Sequence, residues 1–180
     1  ESEDEIKLDE IEILSSPRIE IESLQNSISV VSISREEIQN STATNVSELL
    51  QQIAGIDIRR RGFEGIQADL YIRGGSFDQT LLLIDGIKVE DPQTGHHTMN
   101  MTLPLEVIEK IEIIKGAASR IYGQNAFTGA INIITKKDIE NNISLDLSGG
   151  SFDQKRAAVT MQRKLKNSDL LINYNRKESE

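Results

Sequence analysis

The chain has 180 residues, a formal net charge of −9, no cysteine, two histidines and three prolines. That length holds one domain with a real core, or one domain plus part of another. The acidic balance argues against nucleic acid as a partner. The lack of cysteine excludes disulfides, thiol nucleophiles and cysteine-ligated metals, and no apolar run approaches the roughly 20 residues of a membrane-spanning helix, so a membrane role has to come through β-strands.

"ESEDEIKLDE" (1–10) carries no hydrophobic leader, so the protein is either cytosolic or has lost one; its charge and lack of aromatics predict a disordered lead-in. "IEILSSPR" (11–18) is extended, because Pro17 removes a donor and restricts the residue before it. Such a segment is either a plain linker or a strand that adds to another protein's sheet edge. "ISVVSI" (28–33) predicts a strand. Ser34 opens a helix with Glu37 placed for a capping box. Asn45 caps a second helix, with Glu48 at its third position and Val46, Leu49, Leu50 and Ile53 on one apolar face, and Gly55 stops it.

"IDIRR" is a strand entering the loop "RGFEGIQ". "DLYIR" follows, then "GGSFDQ" and the buried run "TLLLI". Asp85-Gly86 marks a tight turn with "IKVE" returning. After the loop "DPQTGHHTMN" (91–100), Pro104 suits the first turn of a short helix. "IEKIEIIKG" is a strand, "AASRIYG" a helical turn, and "GAINIITKK" a β run buried on both faces. Beyond Lys137, "ISLDLSGG", "AAVTMQRK" and "LLINYNRK" alternate apolar and polar residues with turns between. That pattern fits a transmembrane barrel wall and also an ordinary antiparallel meander. "GGSFDQ" recurs at 149–154 with unmatched flanks, so it reads as two similar strand-to-strand turns and not a duplication.

The chemistry in these loops is sparse. His96 and His97 are adjacent, so their side chains diverge, and a metal site favours spacings that converge. The pair is either two exposed loop histidines or a ligand-touching surface. There is no G-x-S-x-G turn and no phosphate-cradling glycine pattern. Asp69, Asp78, Asp85 and Asp91 lie near strand ends or turns, where aspartate is ordinarily a turn residue, so nothing points to an enzyme and no cofactor is expected. Arg73, between a strand and two glycines, reads as a partly buried arginine in need of a carboxylate, Glu109 or Glu112.

Taken in order, "SISVVSISREEI", "NVSELLQQIAGIDIR", "LYIRGGSFDQTLLLIDGIKVEDP" and "LPLEVIEKIEIIKGAASRIYGQNAFTGAINIITKK" resemble the plug domain of TonB-dependent outer-membrane receptors over about residues 28–137. The resemblance implies an α+β fold. A plug of mixed β-sheet and short helices (28–137) follows a flexible arm (1–27) and precedes about three antiparallel strands of an incomplete transmembrane barrel (138–180). It implies an N-terminal piece of a longer receptor in the outer membrane, its leader removed and its arm periplasmic. The arm would carry a TonB box, Ile11, Glu12, Ile13, Leu14 and Ser15, that pairs as an added strand with TonB, itself driven by an inner-membrane energising complex. Lipid would surround the complete barrel.

Three plug loops, 60–67, 74–79 and 91–101, would face outward. The implied ligand contacts are Arg61 and Phe63, then Ser76 and Phe77, then Gln93, Thr94, His96, His97, Met99 and Asn100. The implied ligand is a metal chelate of the ferric siderophore or cobalamin class, any metal arriving inside it. Arg73 would be the structural arginine of the "IRG" signature. "DPQTGHH" is similar to the Bacteroidota branch of the family. Two alternatives stay open: a signalling receptor of the same family, and a soluble ligand-binding module.

Overall fold

The computed structural model describes residues 13–14, 21–22, 29–61, 67–99, 101, 103–116, 122–137, 139–151, 153–166 and 168–178. Strand β1 (Ile13–Leu14) pairs antiparallel with β2 (Ile21–Glu22), with Ile13 opposite Glu22. Ile11, Glu12 and Ser15 of the predicted box, and residues 117–121 of the helical turn predicted over 117–123, lie outside the described residues.

Strand β3 (Ser29–Ile33) runs into α1 (Arg35–Asn40). The predicted capping box is present: the Glu37 amide donates to Ser34 Oγ at 3.3 Å and the Ser34 amide to Glu37 Oε2 at 2.7 Å. Helix α2 (Val46–Gln51) is capped by Asn45 Oδ1, which accepts from the Glu48 amide at 2.9 Å. Its buried face is Val46, Leu49 and Leu50. The helix ends before Ile53 and Gly55, which were expected on it and at its stop. Ile53 still packs on the core, and Gly55, at φ 83, turns the chain into β4 (Ile56–Arg60).

Strand β4 pairs antiparallel with β5 (Ala68–Ile72) as a ribbon, Ile58 opposite Leu70. Strands β6 (Thr80–Ile84), β7 (Ile87–Lys88), β8 (Ile108–Lys115) and β9 (Gly129–Thr135) join β3 in a five-stranded sheet of order β3-β8-β9-β6-β7. Only β6 and β9 are parallel. That parallel pair is fixed by side chains from two of the motifs. The Asp85 carboxylate accepts from the Thr135 amide at 2.9 Å and its hydroxyl at 2.6 Å, while Asn132 Oδ1 accepts from the Gly86 amide at 3.0 Å. Asp85 sits at φ 50, a conformation that short polar side chains tolerate better than apolar ones.

The "AINII" run is buried on both faces, as predicted. Ile131 and Ile133 face the main core with Leu50, Ile72, Ile111 and Ile113, while Ala130 joins a second cluster with Leu81, Leu83 and Ile114. Gly129 is required by proximity, because a Cβ there would lie 2.5 Å from the Ile114 carbonyl oxygen. The turn after Pro104 is a short 3-10 helix, Leu105–Val107.

Strands β10 (Asn142–Gly149), β11 (Lys155–Lys164) and β12 (Asp169–Glu178) form an antiparallel meander. Its two faces differ in composition. Rows Ile143–Met161–Ile172 and Leu145–Val159–Tyr174 cross the outer face, with Ile143 71% and Tyr174 65% exposed. On the other face Ala158 and Thr160 are buried and Leu171 packs on the main core. The two "GGSFDQ" copies differ in structure. The first connects β5 and β6, in different sheets, through the 3-10 turn Phe77–Gln79. The second closes the β10–β11 hairpin, with the Gly150 amide on the Gln154 carbonyl at 2.9 Å.

Candidate functional site

The face of the β4–β5 ribbon opposite the core carries Asp57, Arg59, Asp69 and Tyr71. Arg59 stays in solvent, 2.8 Å from Asp57 and stacked over the Tyr71 ring at 4.5 Å. Asp69 does not. Expected as a turn residue, it lies inside β5, its side chain 3% exposed, because the 91–99 loop folds over it. A buried carboxylate needs donors, and it has two: His96 Nδ1 at 2.7 Å and Gln67 Nε2 at 3.2 Å. An ionised carboxylate only accepts, so in this contact His96 Nδ1 is the donor to it. The Phe77 ring lies against the same imidazole, centroids 4.2 Å apart. Thus residues of all three predicted outward loops meet around Asp69: Gln67 from the first, Phe77 through His96 from the second, and His96 from the third.

The third loop is shaped by Asp91. Its carboxylate accepts from the Thr94 hydroxyl at 2.6 Å and from the amides of Gln93 at 3.1 Å, Thr94 at 3.2 Å and His97 at 3.4 Å. These bonds, the Thr94 hydroxyl foremost, hold its pKa down to about 2. Gly95 closes the turn at φ 75, its amide on the Asp91 carbonyl at 3.2 Å, and a Cβ there would come within 3.0 Å of the Phe77 ring.

The other predicted contact residues take distinct places. His97 is exposed and diverges from half-buried His96, as adjacency requires. Gln93 and Thr94 are exposed on the Asp91 turn, and Arg61 is exposed beside the Gln67 carbonyl that its amide meets at 2.9 Å. Ser76 begins the 3-10 turn, its hydroxyl on Asp78 and its amide on Gln79 Oε1 at 3.2 Å. Met99 is 6% exposed and belongs to the main core. Phe63 and Asn100 lie outside the described residues. Arg73 is exposed, at φ 51, and its amide bonds the Gly55 carbonyl at 3.1 Å. Glu112, one of its expected partners, pairs with Lys110 at 2.7 Å instead.

Below the loops lies a cleft of about 100 Å³ bordered by Asp69, Phe77, Lys88, Glu90, Met99 and Asn125. Among the described residues no group of three or more histidines and carboxylates is arranged to hold a metal ion. The site offers rings, hydroxyls and amides around a fixed imidazole. Asp69 is the residue that sequence reasoning missed. The local signal was a carboxylate in the middle of the strand "ADLYI"; what buries it is a loop 27 residues later.

A family model described as the TonB-dependent Receptor Plug Domain matches residues 21–130. The vitamin B12 transporter BtuB of Vibrio vulnificus (strain CMCP6) is 29% identical over 168 residues, 93% of this chain and 27% of that protein. BtuB of Vibrio cholerae serotype O1 (strain ATCC 39541) is 34% identical over 128 residues, 71% of this chain and 21% of that protein. Among solved structures, the ferric yersiniabactin uptake receptor FyuA from Yersinia pestis aligns with a TM-score of 0.70 at 21% identity, over 84% of this chain and 24% of its own. A chain of the FpvAI–pyocin S2 complex aligns with a TM-score of 0.72 at 20% identity, over 89% of this chain and 22% of its own. The chain spans about a quarter of the length of the relatives it matches.

Proposed function

On the premise that this chain belongs to the TonB-dependent receptor plug domain family, which is not enzymatic, we propose that it is the N-terminal piece of an outer-membrane receptor for a bulky metal chelate. The ligand is of the ferric siderophore or cobalamin class, and uptake is driven through TonB and its inner-membrane energising complex. In this reading residues 1–27 are the periplasmic arm, 28–137 the plug and 138–180 the first wall strands of the barrel. The likeness of the "DPQTGHH" loop to the Bacteroidota branch supports the reading that the receptor is of that type.

The observation that carries the reading is the reach of the likeness to a vitamin B12 transporter, over 93% of the chain. It extends into strands with apolar rows outward and polar residues inward, the pattern of a barrel wall in lipid. Those rows lie between Arg163 and the row of Ala157 and Arg176, about 20 Å along β11 at ~3.4 Å per residue, comparable with the ~25 Å apolar band of such barrels. A soluble module would not leave these rows in water.

The arm's Ile13–Leu14 is already extended, the conformation in which the box Ile11–Ser15 would add to a TonB sheet edge. The contact set is Arg61, Phe63, Ser76, Phe77, Gln93, Thr94, His96, His97, Met99 and Asn100. The cleft of about 100 Å³ admits only a corner of a chelate, since ligand pockets run to ~300–1,000 Å³. Loops of the complete barrel would hold the rest. The test is a binding and growth screen of the complete receptor against ferric siderophores, haem and corrinoids, with and without the energising complex. Tight binding of one chelate, with growth that depends on energisation, is expected. Binding of none, or uptake indifferent to energisation, contradicts the proposal.

A further inference from the structure

Away from the three loops, a second set of charged side chains lies where the meander meets α1 and the Leu105–Val107 turn. They border a cavity of about 370 Å³ lined by Arg35, Glu106, Lys136, Asp146 and Arg156. Arg35, the first residue of α1, donates from Nη1 to the carbonyls of Leu105 at 2.7 Å and Ile108 at 3.0 Å. It therefore grips both sides of the turn that carries Glu106. Glu106 Oε1 in turn meets Nη2 of Arg156 on β11 at 2.5 Å, with the two side chains 14% and 20% exposed. The result is a continuous path from α1, through a turn of the plug, to the meander.

Two features of this path bear on movement. First, Arg35 follows β3 after a single residue, and β3 is an edge strand held in its sheet by β8 alone. Tension on the N-terminal arm reaches Arg35 as soon as the five-residue β3–β8 ladder gives way. Second, the contact to the meander is ionic and borders a polar cavity. Arg35 Nε and Glu106 Oε2 are buried with no hydrogen-bond partner among the described residues, and a polar cavity of this size admits water to such groups. Charges that water can solvate as they part separate more easily than interdigitated apolar side chains. Arg35 and Lys136 are half-buried beside this cavity, and burial lowers the pKa of both.

We propose that Arg35, the Leu105–Val107 turn, Glu106 and Arg156 form a latch between plug and wall: force that strips β3 from β8 is passed by Arg35 to the turn and breaks the Glu106–Arg156 pair, so the plug yields first along this seam. The inference rests on the reading of the meander as barrel wall.

The test uses the complete receptor in outer membranes, with surface level measured for every variant. Glu106→Gln is nearly isosteric, Arg156→Ala removes the partner, Arg156→Lys keeps the charge, and Glu106→Arg with Arg156→Glu reverses the pair. Two quantities are read: entry of vancomycin into cells lacking TonB, and the first rupture force when single receptors are pulled by the arm. Glu106→Gln and Arg156→Ala should admit the antibiotic several-fold faster and rupture at lower force. Arg156→Lys should stay near the parent, and the reversed pair should recover part of the loss. Parental exclusion and parental rupture force in Glu106→Gln and Arg156→Ala, at parental surface levels, would overturn the latch. Weakened variants in a receptor whose parent shows no TonB-dependent uptake would leave the latch standing and sink the uptake reading instead.

Discussion

His96 and His97 are neighbours in sequence and differ in environment, so they have to be tested apart. Removing His96 takes a donor from a carboxylate that is 3% exposed, and a buried group left short of partners costs about 1–3 kcal/mol. His96→Ala should therefore lower the stability of the plug by that amount in urea titration. His97→Ala, at an exposed side chain, should stay within about 0.5 kcal/mol of the parent. Loss of ligand affinity in His97→Ala at unchanged stability would mark a true contact. Loss in His96→Ala alone would report the shape of the loop. Asp91 gives a pH prediction. Its folded pKa of about 2 lies below the ordinary value of an aspartate, so its contribution is fully present above that ordinary value and is lost as pH falls through about 2. The amide signals of Gln93 and Thr94 should hold their positions down to about pH 4 and move together near the folded value; movement centred on the ordinary aspartate value would contradict the bonding at Asp91.

The elements legible in the sequence were those dictated by local chemistry. Ser34 with Glu37, and Asn45 with Glu48, announced two helix starts that the structure has. The apolar alternation announced β10–β12. The run 129–135 announced a strand with two covered faces. What stayed hidden depends on partners distant in sequence. Nothing near residue 85 says that its carboxylate clamps Thr135, fifty positions on, or that β6 and β9 run parallel. Nothing near residue 69 says that a loop 27 residues later covers it. The early end of α2 has a local reason, since the Gln52 amide turns back to the carbonyls of Leu49 and Leu50 and the chain leaves the helix before Gly55. Two substitutions test this level. Ser34→Ala should cost about 1 kcal/mol, the ordinary worth of a helix cap. Asp85→Ala should cost about 2 kcal/mol or more, since it removes both acceptors for Thr135 and puts alanine at a positive φ. Equal, small effects from both would argue that the Asp85 clamp contributes little to the β6–β9 pairing.

At the scale of the molecule, the meander is where the proposed barrel wall is tested. Its outer rows are apolar and exposed, while on its inner face Ala158 and Thr160 are buried and Leu171 packs on the main core. In the complete barrel Leu145→Arg should cost about 2–4 kcal/mol if the residue faces the bilayer midplane, and should reduce insertion. Ser168→Arg, in the short connection between β11 and β12, should be tolerated. The measurement that tests the central claim most directly is energised uptake of labelled chelate by the complete receptor after deletion of residues 11–15, with equilibrium binding followed in the same cells. The account predicts that uptake is abolished while binding stays at the parental level. Uptake that continues unchanged without those five residues would contradict it.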